Sequence, residues 1–113
     1  HSFPTRRSSD LVRRIEDNIR GYDALGRFGG EEFLMISPGL RQEESRELAE
    51  RVRVSIGDAA FQVQDQAIQV TVSLGGVTWD GQESMDELVN RADDALYRAK
   101  EEGRNRVVYL GVQ

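Results

Sequence analysis

Hydrophobic residues in this chain follow two periods, and the period changes several times along it. Val12, Ile15 and Ile19 recur at helical spacing with Arg13, Arg14 and Asp17 on the outward side. That spacing predicts the end of a helix, stopped at Gly21. Two short apolar runs follow, over 24–28 and 33–37, with Gly29-Gly30-Glu31-Glu32 between them; they predict a hairpin. Phe33, Leu34, Met35 and Ile36 are continuously apolar, as in a strand covered on both faces, and Pro38-Gly39 ends the run. Leu48, Ala49, Val52 and Ile56 predict a helix over 43–56, closed by Gly57. Ile68, Val70, Val72 and Leu74 alternate with Gln69, Thr71 and Ser73, which predicts a strand. Ser84 and Glu87 have the spacing of a capping box. After them Met85, Leu88, Val89, Ala92, Ala95, Leu96 and Ala99 form one stripe of a helix that ends at Gly103. Tyr97 is expected to pack with that stripe and Asp93 to make a structural hydrogen bond. Residues 107–110 predict a last strand.

The order is α-ββ-α-β-α-β, an α+β or α/β sandwich with helices against one sheet. Its opening helix has no partner strand. The sheet is therefore expected to lack a central member, and the native domain to extend further upstream.

Composition narrows the chemistry. The chain has 113 residues, about one domain. With 38% hydrophobic and 31% charged residues it suits a globular rather than a disordered chain. A net charge of −5 argues against nonspecific nucleic-acid binding, while leaving room for a phosphate ligand held by a few local cations. There is no cysteine, so disulfides and thiolate zinc sites are excluded. No apolar run reaches the roughly 18 residues a membrane span needs. Residues 1–11, HSFPTRRSSDL, have no apolar period and resemble a translated short-read sequencing adapter. They are expected to be a non-native tail and are set aside. The only histidine is His1, so 12–113 offers no histidine chemistry.

Three segments then carry a resemblance. Gly29-Gly30-Glu31-Glu32-Phe33 resembles the signature of the GGDEF domain family, the bacterial diguanylate cyclases. Arg91-Ala92-Asp93-Asp94-Ala95-Leu96-Tyr97-Arg98-Ala99-Lys100, followed by Gly103-Arg104-Asn105, is similar to the family's C-terminal helix. Val72-Ser73-Leu74-Gly75 is similar to its Ser-x-Gly strand. The three lie in family order over almost all of 12–110. The resemblance implies a nucleotide-cyclase-like, ferredoxin-like α+β sandwich whose sheet contains antiparallel strands. Residues 12–113 would be its C-terminal two-thirds, without the first central strand.

The family joins two GTP molecules into cyclic di-GMP, a bacterial signalling compound. In each half-reaction a 3′-hydroxyl attacks an α-phosphorus and pyrophosphate leaves, chemistry that rests on positioning and charge neutralisation. The resemblance makes Glu31 a ligand of Mg²⁺ or Mn²⁺ and the base near the attacking hydroxyl. Glu32 is its accompanying acid. Gly29 and Gly30, having no Cβ, let the triphosphate approach. A divalent cation would relieve the repulsion between the adjacent carboxylates. Lys100 and Arg104, four apart and so expected on one helix face, would grip the triphosphate. Without the motif, helix-end cations are ordinary complements to the helix dipole.

Arg20-Gly21-Tyr22-Asp23 is similar to the family's RxxD inhibitory site, where cyclic di-GMP binds back. Arg20 would fork onto guanine or phosphate and Asp23 would accept from guanine N–H groups. Arg51 is a candidate for a second product contact. The plain alternative is a surface ion pair.

The family's second metal-binding Asp and its guanine-reading Asn and Asp have no counterpart in this sequence. The chain alone is thus expected to be inactive, and its parent to be a homodimeric cyclase, one GTP per domain. The implied location is cytoplasmic, including the output end of a membrane-bound sensor, with no membrane contact by this segment. The alternatives are a non-catalytic GTP or cyclic di-GMP receptor of the same fold, and a ferredoxin-like interaction domain without nucleotide.

Overall fold

The computed structural model describes residues 5–21, 23–27 and 32–111. These form α1 (Thr5–Glu16), β1 (Ala24–Arg27), β2 (Phe33–Ile36), α2 (Gln42–Gly57), β3 (Phe61–Val63), β4 (Gln66–Ile68), β5 (Leu74–Val77), α3 (Met85–Glu101) and β6 (Val107–Leu110).

The core is built on α2. Its predicted stripe, Leu48, Ala49, Val52 and Ile56, is buried throughout. Ile15 of α1 and Phe61 of β3 close over Leu48, Val52 and Ile56, and Leu25, Met35, Val70, Val72 and Leu74 pack around them. Each large aliphatic or aromatic side chain fully buried there stabilises the fold by about 1.5–3 kcal/mol.

Helix α1 starts at Thr5, within the segment set aside as a tail, and ends before Gly21. Leu11, four residues before Ile15, packs against the same core. Arg14 is not simply outward. Its guanidinium donates to the carbonyls of Ile56 at 3.1 Å, Ala59 at 2.6 Å and Ala60 at 3.1 Å, and lies 3.6 Å over the Phe61 ring. It thereby supplies donors to carbonyls at and just past the end of α2, which have no partner inside the helix.

The expected single sheet is three two-stranded pairs among the described residues. β1 and β2 are antiparallel, with Ala24 opposite Ile36 and Arg27 opposite Phe33. β5 and β6 are parallel, joined by α3 as a crossover. Between them, β3 and β4 form a hairpin that the sequence pattern missed. Its two turn residues, Gln64 and Asp65, have φ of 50° and 67°, as a type I′ turn requires, but without the glycine that usually signals one. The alternating run breaks accordingly: Gln66–Ile68 and Leu74–Val77 are ladder strands, and 69–73 lie outside any ladder. Val70 and Val72 still point into the core, so the alternation predicted burial correctly and hydrogen bonding incorrectly.

Two further expectations are corrected. β2 is not covered on both faces along its whole length, since Ile36 is 44% exposed; among the described residues β2 pairs only with β1. Tyr97 does not join the α3 stripe and is 64% exposed. The face of α3 that packs is made of small residues, Ala95 and Ala99, both fully buried.

That packing is unusually close. A Cβ placed on Gly75 of β5 would lie 2.2 Å from the Leu96 nitrogen and 2.6 Å from the Ala92 oxygen, both backbone atoms of α3. The helix starts at the predicted cap: Ser84 Oγ accepts from Glu87 N at 3.1 Å, and the Glu87 carboxylate accepts from Ser84 N at 2.8 Å. α3 is thus pinned at its start and pressed onto β5 along its length, which determines where its last turn emerges.

Candidate functional site

The last turn of α3 emerges beside the hairpin. Lys100 Nζ stands 3.8 Å from Glu32 Oε2, with the two side chains 40% and 42% exposed. As an exposed ion pair it contributes little to stability. Its value is positional: it brings a helix-end cation to an acidic residue 68 positions earlier in the chain. Arg27 and Phe33 stand opposite each other at the end of the β1–β2 ladder, and Glu32 directly precedes Phe33 in the chain. Gly29, Gly30 and Glu31 lie outside the described residues.

Arg104 does not continue the Lys100 face, because α3 stops at Glu101. The chain leaves through a Schellman turn instead. Gly103 N donates to Lys100 O at 3.4 Å and Arg104 N to Ala99 O at 2.9 Å, folding Arg104 back against the turn that carries Lys100. Gly103, Arg104 and Asn105 all have positive φ, at 126°, 64° and 47°. Asn105 N donates to Ser73 Oγ at 3.1 Å, and Arg53 Nη1 donates to Asn105 Oδ1 at 3.0 Å. Neither Arg53 nor Ser73 stood out as a site residue in the sequence; Arg53 and Asn105 are 52 positions apart and no local pattern links them.

Carboxylate oxygens suit a hard divalent cation. The donor at this turn that belongs to the described residues is Glu32, and among them no group of three His, Cys, Asp or Glu converges on one point. The donor type fits such an ion.

The predicted Arg20–Asp23 constellation sits at the other end of the hairpin. β1 has four residues, so the two ends are about 13 Å apart along the strand. The pair is more than a surface contact. The Asp23 side chain is 0% exposed and accepts from Arg20 Nη2 at 2.6 Å, Arg20 Nε at 3.1 Å and the Arg20 backbone N at 2.8 Å. Arg20 Nη2 also reaches Pro38 O at 2.7 Å, which ties the turn to the end of β2. Arg51 donates to Asn18 O at 3.2 Å, two residues before Arg20. Asp93 is exposed, unlike its expected structural role. Within the same signature, Arg91 is the anchor, donating to Glu83 at 2.7 Å and to Thr78 O at 2.8 Å.

Hydrogen bonds from the Arg20 side chain hold the Asp23 carboxyl below its ordinary 3.8, against the opposing effect of burial. A depressed carboxylate adds stability at pH above its unfolded value and loses it as pH falls through the folded one. Denaturation midpoints are thus expected to drop below about pH 4. Asp23→Asn should flatten that part of the profile; an unchanged profile would remove the pair from the account of acid stability.

The α+β fold, with Glu32 brought to Lys100 at the end of α3, is consistent with a nucleotide-cyclase-like class. The profile of "Diguanylate cyclase, GGDEF domain" matches residues 9–106, and the chain belongs to that family. It is 43% identical over 98 residues to diguanylate cyclase DgcM of Escherichia coli (strain K12), covering 87% of this chain and 23% of DgcM. Among solved structures it is similar to diguanylate cyclase SiaD of Pseudomonas aeruginosa in complex with its activator SiaC. There the TM-score is 0.86 at 39% identity, over 93% of this chain and 40% of SiaD. The GGDEF domain of DgcB from Caulobacter crescentus, in complex with c-di-GMP, gives a TM-score of 0.80 at 28% identity. That match covers 92% of this chain and 65% of the DgcB domain. The chain thus spans about a quarter of its curated relative's length.

Proposed function

We propose that these residues belong to a diguanylate cyclase catalytic domain that converts two GTP into cyclic di-GMP and two pyrophosphates. The observation that carries this reading is the 3.8 Å approach of Lys100 to Glu32. It sets a partly exposed cation beside an acidic residue of the signature, a charge arrangement that suits a metal-bound triphosphate.

In this reading Gly29 and Gly30 let the phosphates lie against the turn. Glu31 takes the proton of the attacking 3′-hydroxyl, and Glu31 with Glu32 holds the divalent cation. Mg²⁺ or Mn²⁺, when bound, neutralises triphosphate charge. Lys100 and Arg104 bind the β- and γ-phosphates and stabilise charge on the departing pyrophosphate. One domain holds one GTP, so two copies face each other as a homodimer. Nucleic acid and membrane surfaces are not its partners; GTP is, and with it a cytoplasmic location. Cyclic di-GMP returns as inhibitor to the Arg20–Asp23 turn, where the partly exposed Arg20 is the group it reaches and the shielded Asp23 orients that guanidinium. Arg51, which holds Asn18 O, is a candidate second contact.

The test is GTP turnover with Mg²⁺, followed by chromatography of the products, in a form extended to the whole length of a GGDEF domain. Cyclic di-GMP is expected from that form and not from the 113-residue chain. Lys100→Ala should lower kcat/KM about 100-fold. Tight GTP or cyclic di-GMP binding without turnover in the extended form would overturn the enzyme reading and favour the receptor. For the inhibitory site, Arg20→Ala combined with Asp23→Asn avoids leaving a shielded carboxylate without its partner. The concentration of cyclic di-GMP that halves activity should rise about tenfold or more; an unchanged value would exclude a role for the pair in feedback.

A further inference from the structure

The turn after α3 is held by more than a helix cap needs. Its two Schellman bonds, to Ala99 and Lys100, already satisfy the end of the helix. Yet Arg104 and Asn105 both remain in the left-handed region, which side chains other than glycine occupy only where surrounding contacts enforce it. Those contacts come from two other elements. Ser73, immediately before β5, accepts the Asn105 N–H at 3.1 Å, and one residue later Leu74 N binds Arg106 O at 2.9 Å to start the β5–β6 ladder. From α2, Arg53 donates to Asn105 Oδ1 at 3.0 Å. Arg53 is itself oriented by Glu50, which accepts from its Nε at 3.0 Å. Arg106 Nε closes the turn on Arg104 O at 3.1 Å. Arg104 is therefore fixed on one side by the helix and on the other by a side-chain bridge to α2.

We infer that Arg53, acting through Asn105, is a positioning residue for Arg104: it sets the direction in which that guanidinium leaves the turn, toward the phosphates. The inference rests on the proposed phosphate-binding role of Arg104. Arg53 touches no substrate. Its effect is on aim, and a misplacement of about 1 Å at such a group can cost up to 100-fold in rate.

Asn105→Gly isolates the bridge. Glycine can keep the left-handed backbone and the N–H to Ser73 while removing the acceptor for Arg53, and Arg53→Ala removes the same bridge without loosening the turn's backbone. In the active extended form, Asn105→Gly and Arg53→Ala should each lower kcat/KM for GTP about tenfold, and in the same kinetic parameter that Arg104→Ala moves. Arg53→Lys should recover part of the loss, since lysine can donate one bond but lacks the planar fork. In an Arg104→Ala background, Arg53→Ala should add nothing, because the group it aims is gone. Melting temperatures measured in parallel separate aim from stability. A further loss on the Arg104→Ala background would overturn the inference and make Arg53 merely structural. So would an unchanged kcat/KM in Arg53→Ala while Arg104→Ala is impaired. If Arg104→Ala itself retains full activity, the phosphate-binding role fails, and the positioning role fails with it.

Discussion

Gly75→Ala is expected to cost about 3 kcal/mol or more and to leave the domain largely unfolded near 37 °C. Overpacking a core usually costs 1–3 kcal/mol when side chains can move aside. Here they cannot. The new methyl group would stand 2.2 Å from Leu96 N, 2.6 Å from Ala92 O and 2.7 Å from Leu96 Cα. All three are backbone atoms of one helix, so relief requires α3 as a whole to shift. That shift would uncover Ala95 and Ala99 and move the turn carrying Lys100 away from the hairpin. Typical domains have only 5–15 kcal/mol of stability in total. Gly76→Ala provides the contrast, because its methyl would meet the Tyr109 ring, 2.4 Å from Cδ2, and a ring can turn. Gly57→Ala meets nothing within 4 Å and should be neutral or slightly stabilising. Urea denaturation followed by circular dichroism ranks the three. Equal midpoints for Gly75→Ala and the unsubstituted chain would mean that α3 does not lie against β5 as described.

Glu31→Ala is expected to abolish cyclic di-GMP synthesis in the extended form, a loss of at least ~1000-fold, without changing the melting temperature. The residue is proposed to hold the divalent cation and to take the hydroxyl proton, so its removal takes away both functions at once. Glu31 lies in a glycine-acid run outside the apolar pattern of the sequence, which is why stability is not expected to follow activity down. Glu32→Gln should be milder, since it keeps the shape and one oxygen while removing the charge that Lys100 faces at 3.8 Å. Turnover retained by Glu31→Ala would refute its proposed metal-binding and base roles. A loss of turnover accompanied by unfolding would assign Glu31 to structure instead.

In the proposed reading the two ends of the β1–β2 hairpin serve different sites. One end meets the last turn of α3, and the other closes on the Arg20–Asp23 turn through Pro38. Only four residue pairs separate them. α2 spans the same territory from behind, with Arg51 reaching Asn18 and Arg53 reaching Asn105. The proposed feedback and substrate sites thus share two neighbours, the hairpin and α2.

Much of this could be read from residue order. The stripe Leu48, Ala49, Val52 and Ile56 predicted a buried helix face, and Ser84 with Glu87 predicted where α3 begins. The two apolar runs flanking the glycine-acid segment marked an antiparallel strand pair, and the three signature segments pointed to the family. Each of these is a property of residues within a turn or two of one another, where spacing alone decides which side chains share a face or reach a backbone group. The Arg20–Asp23 contact is local in the same sense, three residues apart. Other features depend on where the chain returns. Tyr97 sits in an apolar-looking stripe but faces outward, while Ala95 and Ala99 are the buried residues of α3 and the Ala92–Leu96 backbone lies against Gly75. Arg14 looks like a solvated surface charge until the end of α2 arrives beside it. The Gln64–Asp65 turn has no distinctive residue and exists because its flanking strands pair. The shielding of Asp23, the meeting of Lys100 with Glu32, and the bridge from Arg53 to Asn105 all join elements far apart in the chain. Such contacts are decided by packing distance and by which groups must find a partner once water is excluded, and a one-dimensional pattern carries neither.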